Sequence, residues 1–268
     1  MSVLRTEYLA KSFDRRLVVK GVNIEIHTGE IIGLLGRNGA GKTTSFQMIA
    51  GLLKPDSGNI YIDDKDISRY PSYLRAEAGI TYLPQEHSVF LKASVMDNLK
   101  LILELQPLRK KEREKIARQL LQELGLLDLA KQAAHSLSGG ERRKLEICRS
   151  LVIKPKFLLL DEPFTGIDPL TIIELQKILL NLKAKDIGII ISDQNVRDTF
   201  KIADRAYIID DGEILIEGAP RMISSDERAR EKFLGKNFEF GGEIRAYSSL
   251  EKMRSPSVSP SSSMKKEK

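Results

Sequence analysis

Residues 36–43 read Gly-Arg-Asn-Gly-Ala-Gly-Lys-Thr, and they stand between an apolar run, Gly29-Glu-Ile-Ile-Gly-Leu-Leu35, and a helical stretch, Thr43-Thr-Ser-Phe-Gln-Met-Ile-Ala-Gly-Leu-Leu53. Closely spaced glycines let backbone N–H groups face an anion, the helix start adds the positive end of its dipole, and Lys42 reaches the outer phosphates. Thr43 follows with a hydroxyl suited to Mg²⁺. The bare pattern would arise by chance in about one chain in a hundred of this length at the usual glycine frequency, and its alternative is a helix-capping turn. The strand before it and the helix after it select the phosphate loop. Its candidate ligand-facing residues are Gly36, Arg37, Asn38, Gly39, Ala40, Gly41, Lys42, Thr43 and Thr44.

The run into this loop is apolar on both faces, as a buried central strand is. Further strands are expected at Val18–Ile26, Asn59–Ile62, Lys156–Asp161 and Ile187–Asp193, with a hairpin over Ala206–Gly218. Between about residues 95 and 135 leucines recur at helical spacing, which predicts an inserted helical lobe. Strands alternating with helices on either side of the lobe imply an α/β fold with a largely parallel sheet. Beyond about Asn237 the pattern decays, and residues 255–263 are serine, proline and one valine, which reads as a disordered tail.

Composition excludes several classes. With 41% hydrophobic residues in 268, a packed core is available and wholesale disorder is not expected. No apolar run approaches the roughly 18 to 20 residues that cross a bilayer, and Met1–Phe13 lacks the core of a secretory signal. The single cysteine, Cys148, forms no internal disulfide and fits a reducing compartment. The net charge of +6 comes from 43 basic and 37 acidic residues that are mixed rather than blocked, so no nucleic-acid partner is expected.

Two further motifs carry chemistry. Phe157-Leu-Leu-Leu160 runs into Asp161-Glu162, two carboxylates at a strand end, where α/β sheets bind ligands. Asp161 could hold Mg²⁺ through water and Glu162 could deprotonate an attacking water, although Asp-Glu-Pro is equally a chain-reversing turn. Ser138-Gly139-Gly140-Glu141 is a capping box opening a helix whose Leu145, Cys148, Leu151 and Val152 share a face. Its two glycines strip side chains from the helix start and would let a phosphate approach. The chain already has a phosphate loop, so this second anion-binding end suits a nucleotide held by another copy.

The phosphate loop, Leu137-Ser-Gly-Gly-Glu141 and the Asp161-Glu162 strand end, in this order and spacing, resemble the ATP-binding subunit of ABC transporters over about residues 3–237. The resemblance implies a P-loop NTPase of the ABC ATPase type: a mostly parallel core, an antiparallel β subdomain and an inserted helical subdomain at about 88–152, within a domain of residues 1–237 that precedes the tail at 238–268. It implies ATP and Mg²⁺ as ligands and a homodimer sandwiching two nucleotides, each between one copy's loop and the other's Ser138, Gly139, Gly140 and Glu141. Phe13 stands where the family stacks an aromatic on adenine, and Gln85 where it has a Mg²⁺- and water-sensing glutamine. Metal ligands would be Thr43, Gln85 and Asp161, and Asp168 matches the loop that crosses the dimer interface. Catalysis would rest on Glu162 and Lys42, with Gln194 where the family carries a switch histidine. The chain's histidines, His27, His87 and His135, fall elsewhere and are expected to be solvated or satisfied. An amide can donate a hydrogen bond but relays no proton, so hydrolysis is expected to survive at some cost.

Within the family, the text around Tyr82-Leu-Pro-Gln85-Glu, Ser192-Asp-Gln-Asn-Val-Arg-Asp-Thr199 and Phe233-Leu-Gly-Lys-Asn-Phe238 is most similar to the ATPases that power lipopolysaccharide export from the inner membrane. The nearest alternative is the branched-chain amino-acid importer ATPases. Either reading places the chain in the cytoplasm, peripheral on the inner membrane's cytoplasmic face, with Phe90, Leu91 and Lys92 lining a groove for a transmembrane permease; Phe90 could instead be core. A non-transport ABC ATPase is disfavoured by the single phosphate loop, the absence of a long heptad insertion, and the glutamates interleaved in the basic stretch Arg109–Arg118. A subunit that closes on ATP but hydrolyses it poorly is motivated only by Gln194.

Overall fold

The computed structural model describes residues 1–86, 88–235, Phe238 and Phe240. Strands β1 (Val3–Phe13), β2 (Arg16–His27) and β3 (Ile31–Leu35) lead to helix α1 (Lys42–Ala50), then to β4 (Ser57–Ile62), β5 (Lys65–Asp66), helix α2 (Ser72–Glu77) and β6 (Ile80–Leu83). Helices α3 (Val95–Leu103), α4 (Lys110–Glu123) and α5 (Gly139–Leu151) make the inserted lobe. The chain returns through β7 (Phe157–Asp161), α6 (Pro169–Lys183), β8 (Gly188–Asp193), α7 (Val196–Phe200), β9 (Arg205–Asp210), β10 (Glu213–Gly218) and α8 (Pro220–Ser225).

Two sheets result. An antiparallel sheet has the order β2-β1-β4-β5, and a six-stranded sheet the order β10-β9-β3-β8-β7-β6. Within the larger sheet every pair is parallel except the hairpin β9–β10. All residues of β3, β7 and β8 are buried, which is why they read as continuous apolar runs rather than alternating ones.

Alternate residues of these strands serve different cores. Ile31, Leu158, Leu160, Ile189 and Ile191 pack towards α3, α5 and α6, against Leu99, Leu145, Leu175 and Leu179. Ile32, Leu34, Phe157, Leu159 and Ile190 face the other way, onto Phe46 and Ile49 of α1 and onto Leu4, Ile24, Ile26 and Ile60 of the antiparallel sheet. At about 1.5–3 kcal/mol for each large side chain fully buried, the two layers together hold α1 and the helical lobe on opposite faces of one sheet. No helix among the described residues is long and apolar enough to cross a membrane. The basic stretch lies on α4 with Arg118 exposed beside Glu114, a solvated face as expected.

Helix α1 is held at its far end by a buried cation. Arg75 of α2 is 2% exposed. Its guanidinium donates to the carbonyls of Met48 and Ile49, in the last turn of α1, and to those of Tyr70 and Ser68. Burial pushes its pKa down to about 10, so the side chain stays charged at neutral pH and complements the negative end of the helix. Short β6 and α2 have no clear signature in the sequence, and their place comes from this contact and from pairing with β7. The tail expected from residue 238 lies outside the described residues, apart from Phe238 and Phe240, whose rings pack edge-on against Phe200 of α7.

Arg75→Met, which keeps the bulk and removes every donor, should destabilise the chain by about 2–4 kcal/mol. Arg75→Lys should restore only part of this, because one ammonium cannot span four carbonyls. Urea unfolding of the three chains measures both differences.

Candidate functional site

The carboxyl ends of β3, β6, β7 and β8 converge, and each hands a polar group to one cavity of about 250 Å³. Asn38, Gly39, Gly41, Lys42, Thr43 and Thr44 come from the turn after β3, Gln85 from the turn after β6, Glu162 from the end of β7 and Gln194 from the end of β8. Gly36 lies beneath this wall. A Cβ there would sit 2.3 Å from the Ile209 carbonyl, so only glycine lets the loop leave β3 so close to β9.

Lys42 is 5% exposed, and its ammonium donates to the carbonyls of Gly36 at 2.8 Å and Arg37 at 3.1 Å, inside its own loop. Burial lowers its pKa, while the carboxylates of Glu162, Asp161 and Asp193 oppose that shift. The cation is thus poised at a loop whose exposed backbone can receive an anion.

Glu162 has a left-handed backbone, φ 45°, an uncommon conformation for a residue with a side chain. It is held there by its N–H on the Ser192 carbonyl at 2.7 Å and by the Thr165 N–H on its own carbonyl at 3.3 Å. The strained turn lifts the carboxylate off the strand axis and sets it between two amides. Gln85 Nε2 donates to one oxygen at 2.8 Å, and Gln194 Nε2 to the other at 3.2 Å. Thr165 Oγ1 adds a third donor at 3.2 Å.

The neighbouring Asp161 is 1% exposed and lies behind the cavity, accepting from Tyr82 Oη at 3.1 Å and from the Ser192 hydroxyl. Asp161 is not among the residues that line the cavity. Asp193, also buried, accepts from the N–H groups of Asn195 at 2.8 Å and Phe164 at 3.3 Å. Burial, reinforced by the Glu162 charge, pushes its pKa up to about 6 in spite of those bonds. Tyr82, Ser192, Asp193 and Thr165 were not candidates from the sequence; the signal for Ser192 and Asp193 was two polar residues closing an apolar strand.

The remaining candidates lie around this centre. Phe13, at the end of β1, is 44% exposed under the Lys11 ammonium, 5.7 Å from the ring centre, and is not core. Gly139 lines a second hollow of about 200 Å³ with Gln85, Glu162 and Thr165. The capping box at Ser138 is present, its N–H donating to Glu141 Oε2 at 2.8 Å. The two glycines within it differ. A Cβ on Gly139 would meet only the Gly166 carbonyl oxygen at 3.9 Å, an ordinary contact, whereas one on Gly140 would fall 2.1 Å from Thr171 Cγ2. Gly140 is thus a packing requirement against α6, while Gly139 leaves the helix start free of side-chain packing.

Asp168 caps α6 through the Thr171 N–H at 3.0 Å, and Thr171 holds its carboxyl below the usual range. Phe90 and Leu91 are 49% and 48% exposed, so Phe90 is a surface residue and not core. Asn98, fully buried, fixes that loop by exchanging bonds with the Phe90 N–H and carbonyl. His27 lies beside Glu25 at 3.3 Å and His135 is exposed, as expected; His87 lies outside the described residues. A larger hollow of about 650 Å³ sits on the helical lobe among the Asp97–Lys100 and Glu114–Arg118 pairs and shares no residue with the cavity at the strand ends.

The donors suited to a divalent cation are hard oxygens: the exposed Thr43 hydroxyl, the Gln85 amide oxygen and the Asp161 carboxylate. Among the described residues no cluster of three or more His, Cys, Asp or Glu forms a metal cage. Few carboxylates and room for phosphate oxygens fit Mg²⁺, which keeps water and substrate oxygens in its shell.

Fold and site together define a phosphate-loop nucleotide-binding cassette with an inserted helical lobe. The ABC transporter family profile matches residues 19–165. The lipopolysaccharide export system ATP-binding protein LptB of Acidithiobacillus ferridurans is 48% identical over 237 residues, covering 88% of this chain and 98% of that protein. LptB of Escherichia coli K12 is 45% identical over 239 residues, covering 89% and 99%. Among solved structures, the ADP conformation of MJ1267, an ATP-binding cassette of an ABC transporter, superposes with a TM-score of 0.81 at 30% identity, covering 88% of this chain and all of that one. The chain belongs to the ABC transporter family, as one of its ATP-binding cassettes.

Gly140→Ala should cost about 1–3 kcal/mol of stability by overpacking against Thr171, while Gly139→Ala should leave stability within about 0.5 kcal/mol. Thermal unfolding of both variants separates the two glycines. A second outcome concerns Asp193. Its raised pKa means the unfolded chain gives up that proton first as pH rises, so the folded state is progressively disfavoured from about pH 4 to about pH 6. Against Asp193→Asn, the native chain should lose up to about 3 kcal/mol of relative stability across that window. Urea unfolding of both chains at pH 4.0 and 7.0 measures it.

Proposed function

We propose that this chain hydrolyses ATP as the energy-supplying subunit of a lipopolysaccharide exporter, working as a homodimer on the cytoplasmic face of the inner membrane. The observation that carries the catalytic reading is Glu162, lifted on a left-handed turn and aimed between Gln85 and Gln194 beside the Lys42 loop. The transport reading is supported by its likeness to the export ATP-binding proteins over almost their whole length.

In this reading the loop from Gly36 to Thr44 cradles the phosphates and Lys42 turns from its own carbonyls to the outer phosphate. Thr43 and Gln85 would hold Mg²⁺ directly and Asp161 through water, and the ion would supply charge neutralisation on the phosphate oxygens. Glu162 accepts a proton from the attacking water as general base. Two neutral amides keep its carboxylate oriented, and neither can take the proton from it. Gln194 also donates towards the outer phosphate in place of an imidazole. The second copy supplies Ser138, Gly139 and Glu141 at its helix start, with the bare backbone at Gly139 closest to the phosphate, while Phe13 stacks on the base and Asp168 lies at the dimer boundary.

Residues 1–237 form the ATPase unit, with the helical subdomain at about 88–152, and Phe238 and Phe240 extend its packing onto Phe200. Phe90, Leu91 and Lys92 face the permease. A partner helix seated there would bury two exposed apolar side chains on a loop already held by Asn98.

The test is ATP hydrolysis by the full chain. Glu162→Gln should lower kcat by about 10²–10⁴-fold with nucleotide affinity retained. Gln194→His should raise kcat by at most about ten-fold, a measure of the missing imidazole. Unchanged turnover in Glu162→Gln would overturn the catalytic assignment. Assembled with its membrane subunits, the chain should turn over faster when lipopolysaccharide is present than when it is absent; the same rate in both would overturn the transport reading.

A further inference from the structure

The β9–β10 hairpin closes on Asp211 and Gly212, whose φ angles of 45° and 83° make the two-residue left-handed turn that Asp-Gly favours. The ladder pairs Asp210 with Glu213, so the backbone groups of the two turn residues are left to bond outside the hairpin. Gly212 does so twice. Its carbonyl accepts the Lys20 N–H of β2 at 2.8 Å, and its N–H donates to the Ala40 carbonyl of the phosphate loop at 3.1 Å. The approach is too close for a side chain. A Cβ on Gly212 would fall 2.5 Å from the Val18 carbonyl oxygen, and one on Gly41 would fall 3.0 Å from the same oxygen.

The Ala40 carbonyl belongs to the same peptide unit as the Gly41 N–H. In a trans peptide the two point in opposite directions, so a carbonyl fixed outward on the hairpin turns the N–H inward. Gly41 lines the strand-end cavity together with Lys42, where an inward N–H meets an anion. Two other carbonyls of the loop, those of Gly36 and Arg37, rest on the Lys42 ammonium. A nucleotide that draws Lys42 to its outer phosphate breaks both of those bonds, whereas the Gly212 bond joins backbone to backbone and stays. The ion pair of Lys20 with the largely exposed Asp211, at 2.5 Å, braces the same turn, but a pair this open to solvent contributes little.

We propose that Gly212 is a positioning residue for nucleotide binding: its N–H holds the peptide between Ala40 and Gly41 with the Gly41 N–H towards the phosphates, both before and after Lys42 moves. The hairpin turn thereby sets affinity and leaves the chemical step alone, because Glu162 and its two amide donors hang from other strands. The proposal rests on the reading above that the loop from Gly36 to Thr44 cradles the phosphates.

The experiment compares the full chain with Gly212→Ala, with Lys20→Met, and with a chain carrying glycolic acid in place of Gly212, which exchanges the N–H for an ester oxygen and adds no bulk. Amide hydrogen exchange on segment 36–44, ADP affinity by titration calorimetry, and kcat and KM for ATP are read on each. The ester chain should bind ADP about five- to ten-fold more weakly, with KM for ATP raised alike, kcat within about two-fold and exchange at 36–44 faster by about ten-fold. Gly212→Ala should lose at least as much affinity, and Lys20→Met should stay within about two-fold of the native chain throughout. If Gly212→Ala does not fold, the ester chain decides alone. Native affinity and native exchange in the ester chain would overturn the proposal. So would a fall in its kcat at constant KM, or an equal loss of affinity in Lys20→Met, which would trace the hold to the ion pair. A native chain that binds no ADP would refute the nucleotide reading, and exchange at 36–44 would still decide whether Gly212 holds the loop.

Discussion

A strand buried on both faces has room for polar side chains only at its ends. That constraint governs this molecule. Strands β3, β7 and β8 bury every residue, so the groups that can do chemistry are pushed to one edge of the sheet. Parallel pairing then gathers them: Asp161 stands opposite Ser192 in the β7–β8 register, and Leu35 opposite Asp193 in β3–β8. The loop with Lys42 and the turn with Glu162 are neighbours because their strands are one strand apart in the sheet, not because they are near in sequence.

The edge is crowded with charge, and the structure shows how it is managed. Glu162 is capped by neutral donors and half open to solvent, Asp161 is satisfied by two hydroxyls, and Asp193 is left to carry the cost of burial in its raised pKa. Lys42 answers all three carboxylates at once. From the helical lobe, Arg143 reaches this edge through the Asp161 carbonyl and joins α5 to the end of β7.

Much of this was legible in the residues. The apolar runs, their ends and the loop after β3 placed Lys42, Asp161 and Glu162, because a buried strand is recognisable by composition and its polar terminus by contrast, whereas Gln194 came only from likeness to a family. Gln85 was found only by likeness to a family, since a glutamine after the four-residue β6 carries no local signal. Its meaning comes from the Glu162 oxygen 2.8 Å away. The glycines of the α5 cap looked alike in sequence and proved different, one crowded by Thr171 and one not. Arg75 and Glu146 resembled ordinary surface charges on helices. Both are buried, because charge alone does not say which face of a helix a neighbour will cover.

By itself, then, the sequence determined the α/β class, the strand–loop–helix of the phosphate-loop pattern, the capped helix start and the carboxylates at a strand end. These are local properties of spacing, propensity and hydrophobic pattern. The order of strands in the sheet, the pairing of Glu162 with two glutamines from different turns, and the bonds of α5 to Pro84 and Ser88 were decided only in three dimensions. Each joins segments dozens of residues apart through side-chain hydrogen bonds whose geometry no local pattern encodes, and which form only after the apolar layers have set the distance between them.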